Sequence, residues 1–307
     1  MKAYLFAVSV VAFSGGVEAD AEQPAAAKTP WSIQPYFKFP RISWPSIAPL
    51  LKRFGQEAES SGKGEKGGPL SHSSWSVITP KSLDEEFQLH WRGFYEDWES
   101  MHKHQDALIG LIDDILLADQ ALATLQRVEI TGPKEDVEKE KKLDPSLSLK
   151  ADYYESEDGF WAKFQDPTAD RSKSCSTDVK FKVQNWTRAR SVIKKAVEDT
   201  AKEPGCFYSG WSMKHNDLYL RESYTDGEAV NSHFKNVAPL FDLLIAPDVA
   251  TLETVEVHGP KEELEKTKDI TALINAPFTP VFYAITSGGD EEPIALLSAA
   301  KGTENEL

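Results

Sequence analysis

EVHGPKEELEKTK, Glu256 to Lys268, keeps eight of thirteen positions of a stretch met earlier in the chain, EITGPKEDVEKEK, Glu129 to Lys141. In both, a Gly-Pro pair stands between an apolar, strand-like segment and a run of Lys and Glu three and four apart. Glycine can leave a strand with an unusual φ, proline has the pre-set φ of a first helical residue, and the charged run suits a short exposed helix. The chain therefore uses one strand-turn-helix joint twice.

Working outward, the match extends upstream. Phe37-Lys38-Phe39 followed by Trp44 corresponds to Val179-Lys180-Phe181 followed by Trp186. Each reads as a strand entering a helix, with Ser43 or Asn185 as cap. Ile47, Leu50, Leu51 and Phe54 in one copy, and Ala189, Val192, Ile193 and Ala196 in the other, form one apolar stripe. A hairpin follows: Ser74 to Val77 with Phe87 to Arg92, and Gly210 to Met213 with Leu218 to Arg221. Copy two turns tightly at His215-Asn216-Asp217, whereas Ile78 to Glu86 is a longer loop. Asp97 and Asp226 then cap a second helix carrying His104 and His233, before the strand that ends at Gly-Pro. Final strands are expected near Lys150 to Tyr154 and Val281 to Ile285. Each copy thus reads as β-α-β-β-α-β, a split βαβ unit, with a short helix and a further strand at its end: an α+β protein.

The ends and the middle divide the chain. Lys2, the apolar run Ala3 to Phe13 and Val17-Glu18-Ala19 have the layout of a secretory signal peptide over residues 1–19. A flexible segment is expected at 20–31, repeat 1 at 32–155, a polar linker at 156–174, repeat 2 at 175–288 and a mobile tail at 289–307. This places the mature protein in the secretory pathway, extracellular or in an organelle lumen, without stable membrane insertion. With 49 acidic against 34 basic residues and a net charge of −15, nucleic acid is excluded as a partner. Hydrophobic content of 40% is globular. Cys175 and Cys206 can pair in an oxidising compartment or remain two free thiols.

The run Glu203-Pro204-Gly205-Cys206-Phe207, the strand Leu218 to Glu222, then Glu228-Ala229 and His233 resemble the antibiotic biosynthesis monooxygenase (ABM) family of the dimeric α/β-barrel superfamily. Copy one departs from it, with Gly93 opposite Glu222. The resemblance implies that the two ferredoxin-like repeats close a pseudo-dimeric α/β barrel within one chain, with homo-oligomers also open. It also implies a pocket for a small aromatic or apolar molecule and, as one activity, monooxygenation of phenols or quinols without metal or other cofactor. The alternatives are a non-catalytic ligand-binding or stress-response protein, or haem bound through His233 or His104.

Within that frame His233 is the candidate base, or a histidine satisfied at a pocket edge. Glu222 is a second candidate base, or half of an ion pair with Arg221. Asn185 is open to three roles: orienting oxygen or an oxyanion, a glycosylated sequon with Trp186 and Thr187, or the helix cap. Trp211, Tyr208 and Tyr219, with Trp75 and His104 in copy one, can line a flat pocket or belong to the core. Strand alternation keeps Trp211 and Tyr208 on opposite faces. There is no Walker loop, GxGxxG, HExxH, GxSxG or CxxC, and His102 and His104 are spaced poorly for a metal.

Overall fold

The computed structural model describes residues 31–63, 70–78, 86–95, 97–105, 110, 123–143, 151–161, 171–273 and 279–286. The expected signal peptide, the tail and most of the Ile78 to Glu86 loop lie outside them. The first half contains β1 (Trp31–Phe39), α1 (Trp44–Lys63), β2 (Leu70–Ile78), β3 (Phe87–Tyr95), β4 (Thr124–Gly132), α3 (Lys134–Leu143) and β5 (Ala151–Trp161), with helix α2 over 98–105. The second has the same order: β6 (Cys175–Val183), α4 (Trp186–Thr200), β7 (Cys206–Lys214), β8 (Asp217–Tyr224), α5 (Gly227–Leu244), β9 (Ala250–Gly259), α6 (Lys261–Lys266) and β10 (Val281–Thr286).

The ten strands form one closed barrel, β1-β3-β2-β10-β9-β6-β8-β7-β5-β4, in which β4 returns to pair with β1. Two pairings join the halves. β5 of the first half runs antiparallel to β7 of the second, from Glu155 opposite Met213 to Trp161 opposite Tyr208. β10 of the second half runs antiparallel to β2 of the first. Each half therefore completes the other's sheet with its last strand.

Helices cover the outside of this barrel. Ile47, Leu51 and Phe54 of α1 are buried against Trp91 and Leu89, and Ala189, Ile193 and Ala196 of α4 against Phe181 and Trp211. Of the expected caps, Asn185, Asp226 and Asp97 accept from the backbone N–H of Arg188, Ala229 and Ser100, whereas Ser43 ends a 3-10 turn, Arg41–Ser43, ahead of α1. The turn between β7 and β8 is His215-Asn216, with His215 at φ 59°.

Two expectations need correction, and one open alternative is decided. Residues 156–161 are not linker, because β5 gains a ladder to β7 and so extends through Trp161. Trp31 does not belong to a flexible segment; it opens β1, is 1% exposed and packs its ring over Gly132. Cys175 and Cys206 are free and buried. They lie opposite the same residue, Tyr224, on the two strands flanking β8. Two strand spacings put their backbones roughly 10 Å apart, beyond the reach of about 7 Å for a disulfide.

The repeated glycines owe their place to crowding rather than to φ, since neither has a positive φ. A Cβ on Gly132 would come within 2.4 Å of the Trp31 ring, and one on Gly259 within 2.6 Å of Cys175 Sγ. Gly259→Ala is accordingly expected to cost about 1–3 kcal/mol in urea unfolding. Adding Cys175→Ala should recover part of that loss by removing the clashing sulfur; a purely additive double variant would show that the clash is not the cause.

Candidate functional site

Beneath α5 in the second half lies a buried chain of ionisable groups. His233, on the inner face of α5, is 1% exposed. Its Nδ1 lies 2.9 Å from Glu203 Oε2, just before β7, and its Nε2 lies 3.1 Å from Glu222 Oε2 on β8. Glu222, also 1% exposed, accepts from Tyr224 Oη at 2.6 Å and from Ser209 Oγ at 3.0 Å. Asn236 Nδ2 donates to the other oxygen of Glu203 at 3.3 Å. Glu203, with 14% of its side chain exposed, is the outermost member.

Burial alone would lower the His233 pKa. The charges of Glu222 and Glu203 and the hydrogen bonding they provide outweigh that effect and raise it to about 9. At neutral pH the ring is an imidazolium between two carboxylates. A ring held charged in this way already carries the proton that a base would take up. Burial and the neighbouring Glu222 push the Tyr224 hydroxyl well above its usual range.

The corresponding place in the first half is closed. His104 Nδ1 is 2.7 Å from Tyr95 Oη, and burial lowers its pKa to about 4, so this ring is neutral. Where Glu222 stands in the second half there is Gly93. A Cβ at Gly93 would meet Tyr95 Oη at 2.5 Å, so the tyrosine occupies the space of the missing carboxylate.

The other sequence candidates do not converge on His233. Trp211 faces the helices but packs into the core beside Phe181, ring centroids 6.1 Å apart. Tyr208 and Tyr219 face the barrel interior instead, against Phe94 at 4.3 Å and Tyr154 at 4.6 Å. The Trp75 side chain lies outside the described residues. Asn185 follows the far end of β6: from Thr177, opposite Glu222, to Val183 is about 20 Å of strand. Asn185 thus caps α4 and cannot orient a molecule held at Glu222.

The barrel interior is itself charged. Arg221 Nη2 donates to Glu129 at 2.8 Å, and its Nη1 to Thr131 and Ser212 at 3.1 and 3.0 Å. Arg92 Nη2 donates to Asp178 at 2.6 Å and Glu256 at 3.4 Å. Both arginines bind carboxylates of the opposite half. Burial raises the Glu256 pKa to about 7; Arg92 opposes this, and Asp178 and Glu129 add to it. Ligand atoms of Asp178, Glu256 and His258 lie within 4.8 Å of one another, the spacing of a metal site. The Arg92 guanidinium, however, already occupies the cation's place beside both carboxylates.

Sequence reasoning missed this interior, and it placed Glu203 in the resembling run without giving it a role at the site. The signal was present: Glu129 and Glu256 open the two copies of the repeated stretch, and Arg92 and Arg221 each lie three residues before an equivalent tyrosine.

No family model matches the chain, and no curated protein matches it significantly. Among solved structures, the chain is similar to MupZ from Pseudomonas fluorescens at 27% identity, over 44% of this chain and 96% of that one, with a TM-score of 0.33. It is also similar to a provisionally assigned monooxygenase from Fusobacterium nucleatum, 14% identical over 75% and 90% of the two chains, TM-score 0.47. A dye-decolorizing peroxidase from Bacteroides thetaiotaomicron aligns at 9% identity over 76% and 93%, TM-score 0.41.

Proposed function

We propose that the chain is a tandem, single-chain ABM-like protein of the secretory route that binds a small aromatic or apolar molecule beside Glu222 and oxidises it with O2. The observation that carries this is the buried Glu203–His233–Glu222 chain, present in one half only. A phenol or quinol placed there would pass its O–H proton to Glu222. The adjacent imidazolium would stabilise the phenolate, and Glu203 would connect His233 to solvent. Phenolate formation makes the ring electron-rich enough to react with O2 directly; oxidation of a ring CH2 to C=O consumes one O2 and releases one water.

Oxygen consumption with hydroquinones and anthrone-type phenols tests this, on protein without added metal or flavin. Turnover is expected in the parent chain and in Tyr95→Phe, and a loss of about 100-fold or more in Glu222→Gln. Equal turnover in Glu222→Gln would remove Glu222 from the reaction. A second reading, a binding protein without chemistry, is favoured by the tyrosine-filled site of the first half. It predicts no oxygen uptake but thermal stabilisation by the same phenols.

A further inference from the structure

Helix-facing and interior-facing side chains alternate along each strand, and paired residues share a face. Glu222 pairs with Thr177 on β6 and with Ser209 on β7, so these residues form one row on the face that α5 covers. All are at most 1% exposed. Directly opposite side chains have Cβ atoms about 4.5–5.5 Å apart, within reach of one shared small group.

Glu222 has little capacity left. A carboxylate offers about four acceptor positions. Its Oε2 accepts from Tyr224 at 2.6 Å and meets His233 at 3.1 Å, and its Oε1 accepts from Ser209 at 3.0 Å. The remaining position is on Oε1. Beside it, Thr177 is wholly buried and its Oγ1 has no hydrogen-bond partner. The other unpartnered hydroxyls among the described residues of this half, Ser176, Tyr208 and Ser223, alternate with this row and face the barrel interior. Buried hydroxyls are almost always hydrogen-bonded, so Thr177 marks a place for an oxygen next to Glu222. The first half has the pairing without the chemistry. There Ile33 stands opposite Gly93, so the hydroxyl and the carboxylate are present together in one half and absent together in the other.

We propose that Thr177 is the specificity-determining residue of this site: its hydroxyl donates to the oxygen of the same O–H group that donates to Glu222, and the site thereby takes an aromatic hydroxyl in preference to the corresponding amine or ether. This rests on the reading of Glu222 as the place where the ligand's O–H lies. A hydroxyl donates one hydrogen bond and accepts another through a single atom, which is what Glu222 and Thr177 together require. An arylamine donates to Glu222, but its nitrogen lone pair is conjugated into the ring and accepts poorly from Thr177. An aryl ether accepts from Thr177 and has no hydrogen for Glu222. Each leaves a buried group unpaired, which costs more than the lost bond itself. When the proton passes to Glu222, the Thr177 O–H stays on the oxygen that has become negative.

The test measures binding of naphthol, naphthylamine and methoxynaphthalene, substituted at the same ring position, to the full chain by calorimetry and thermal unfolding. Argon keeps binding separate from oxidation. Naphthol is expected to bind more tightly than the other two. Thr177→Val, which keeps the shape without the hydroxyl, should weaken naphthol binding by about threefold to tenfold, the contribution of one hydrogen bond, and leave the amine nearly unchanged. Thr177→Ser should restore the preference. Naphthol binding equal in the parent and in Thr177→Val, or no naphthol binding in the parent, would overturn the proposal. Oxygen uptake in air separates this from the oxidation reading. Thr177-dependent binding without uptake removes the oxidation and leaves Thr177 its role, whereas Glu222-dependent uptake with binding indifferent to Thr177→Val does the reverse.

Discussion

Arg221→Met is expected to destabilise the chain by about 3–5 kcal/mol, among the largest single effects available in it. Arg221 is 1% exposed, and its removal strands Glu129, 7% exposed, together with the Thr131 and Ser212 hydroxyls. Tyr36 Oη and Arg127 Nε still reach Glu129, at 3.2 and 3.1 Å, but Arg127 is half exposed and its pull is weakened by solvent. Methionine fills most of the arginine's volume, so the loss reports the ion pair rather than a cavity. Urea unfolding of Arg221→Met, Glu129→Gln and the double variant measures it. The double variant should be less destabilised than the sum of the two single variants, because the charge left behind is gone. A loss below about 1 kcal/mol for Arg221→Met would mean that water in the interior screens the pair.

The second large effect depends on pH. The His233 pKa is raised to about 9, above its value of about 6.5 in an unfolded chain. The native state thus binds a proton more tightly, and this contribution is fully present below pH 6.5 and lost as pH rises through 9. Its size is roughly 3 kcal/mol. His104 acts in the opposite sense. Its pKa is lowered to about 4, so the unfolded chain gains the proton first and stability falls as pH drops from about 6.5 to 4. Unfolding free energies should therefore decline on both sides of neutrality, the alkaline limb belonging to the second half and the acid limb to the first. In Glu222→Gln the alkaline limb should shrink markedly while the acid limb stays. An alkaline limb unchanged by that substitution would show that His233 is not held charged by Glu222.

Much of the architecture was legible because fold information sits in local patterns. The doubled Gly-Pro stretch marks β4–α3 and β9–α6, and the apolar stripes of α1 and α4 fall on their buried faces. Closure of the barrel was open to resemblance alone, since the pairing of β5 with β7 joins strands whose sequences carry no mark of each other. The charged interior was hidden for a related reason. A charged residue placed after an apolar one, as Arg92 after Trp91 and Arg221 after Leu220, looks the same whether its face meets solvent or the opposite wall. At the candidate site, His233 and Glu222 were both picked out singly. Glu203, 30 residues before His233, was not, and it contributes to the charge that turns a neutral ring into a cation.

The exchange of β5 and β10 also bears on how the chain is made. When β5 leaves the ribosome its partner β7 does not yet exist, and β2 must wait for β10, whose first residue follows that of β5 by 130 positions. At about 5–20 residues per second that is a delay on the order of ten seconds. The first half carries two unpaired strand edges until β7 emerges, and one, that of β2, until β10 does; such edges recruit other chains. Nascent chains of this protein are therefore exposed to mispairing between neighbouring ribosomes on one message until the last strand has emerged.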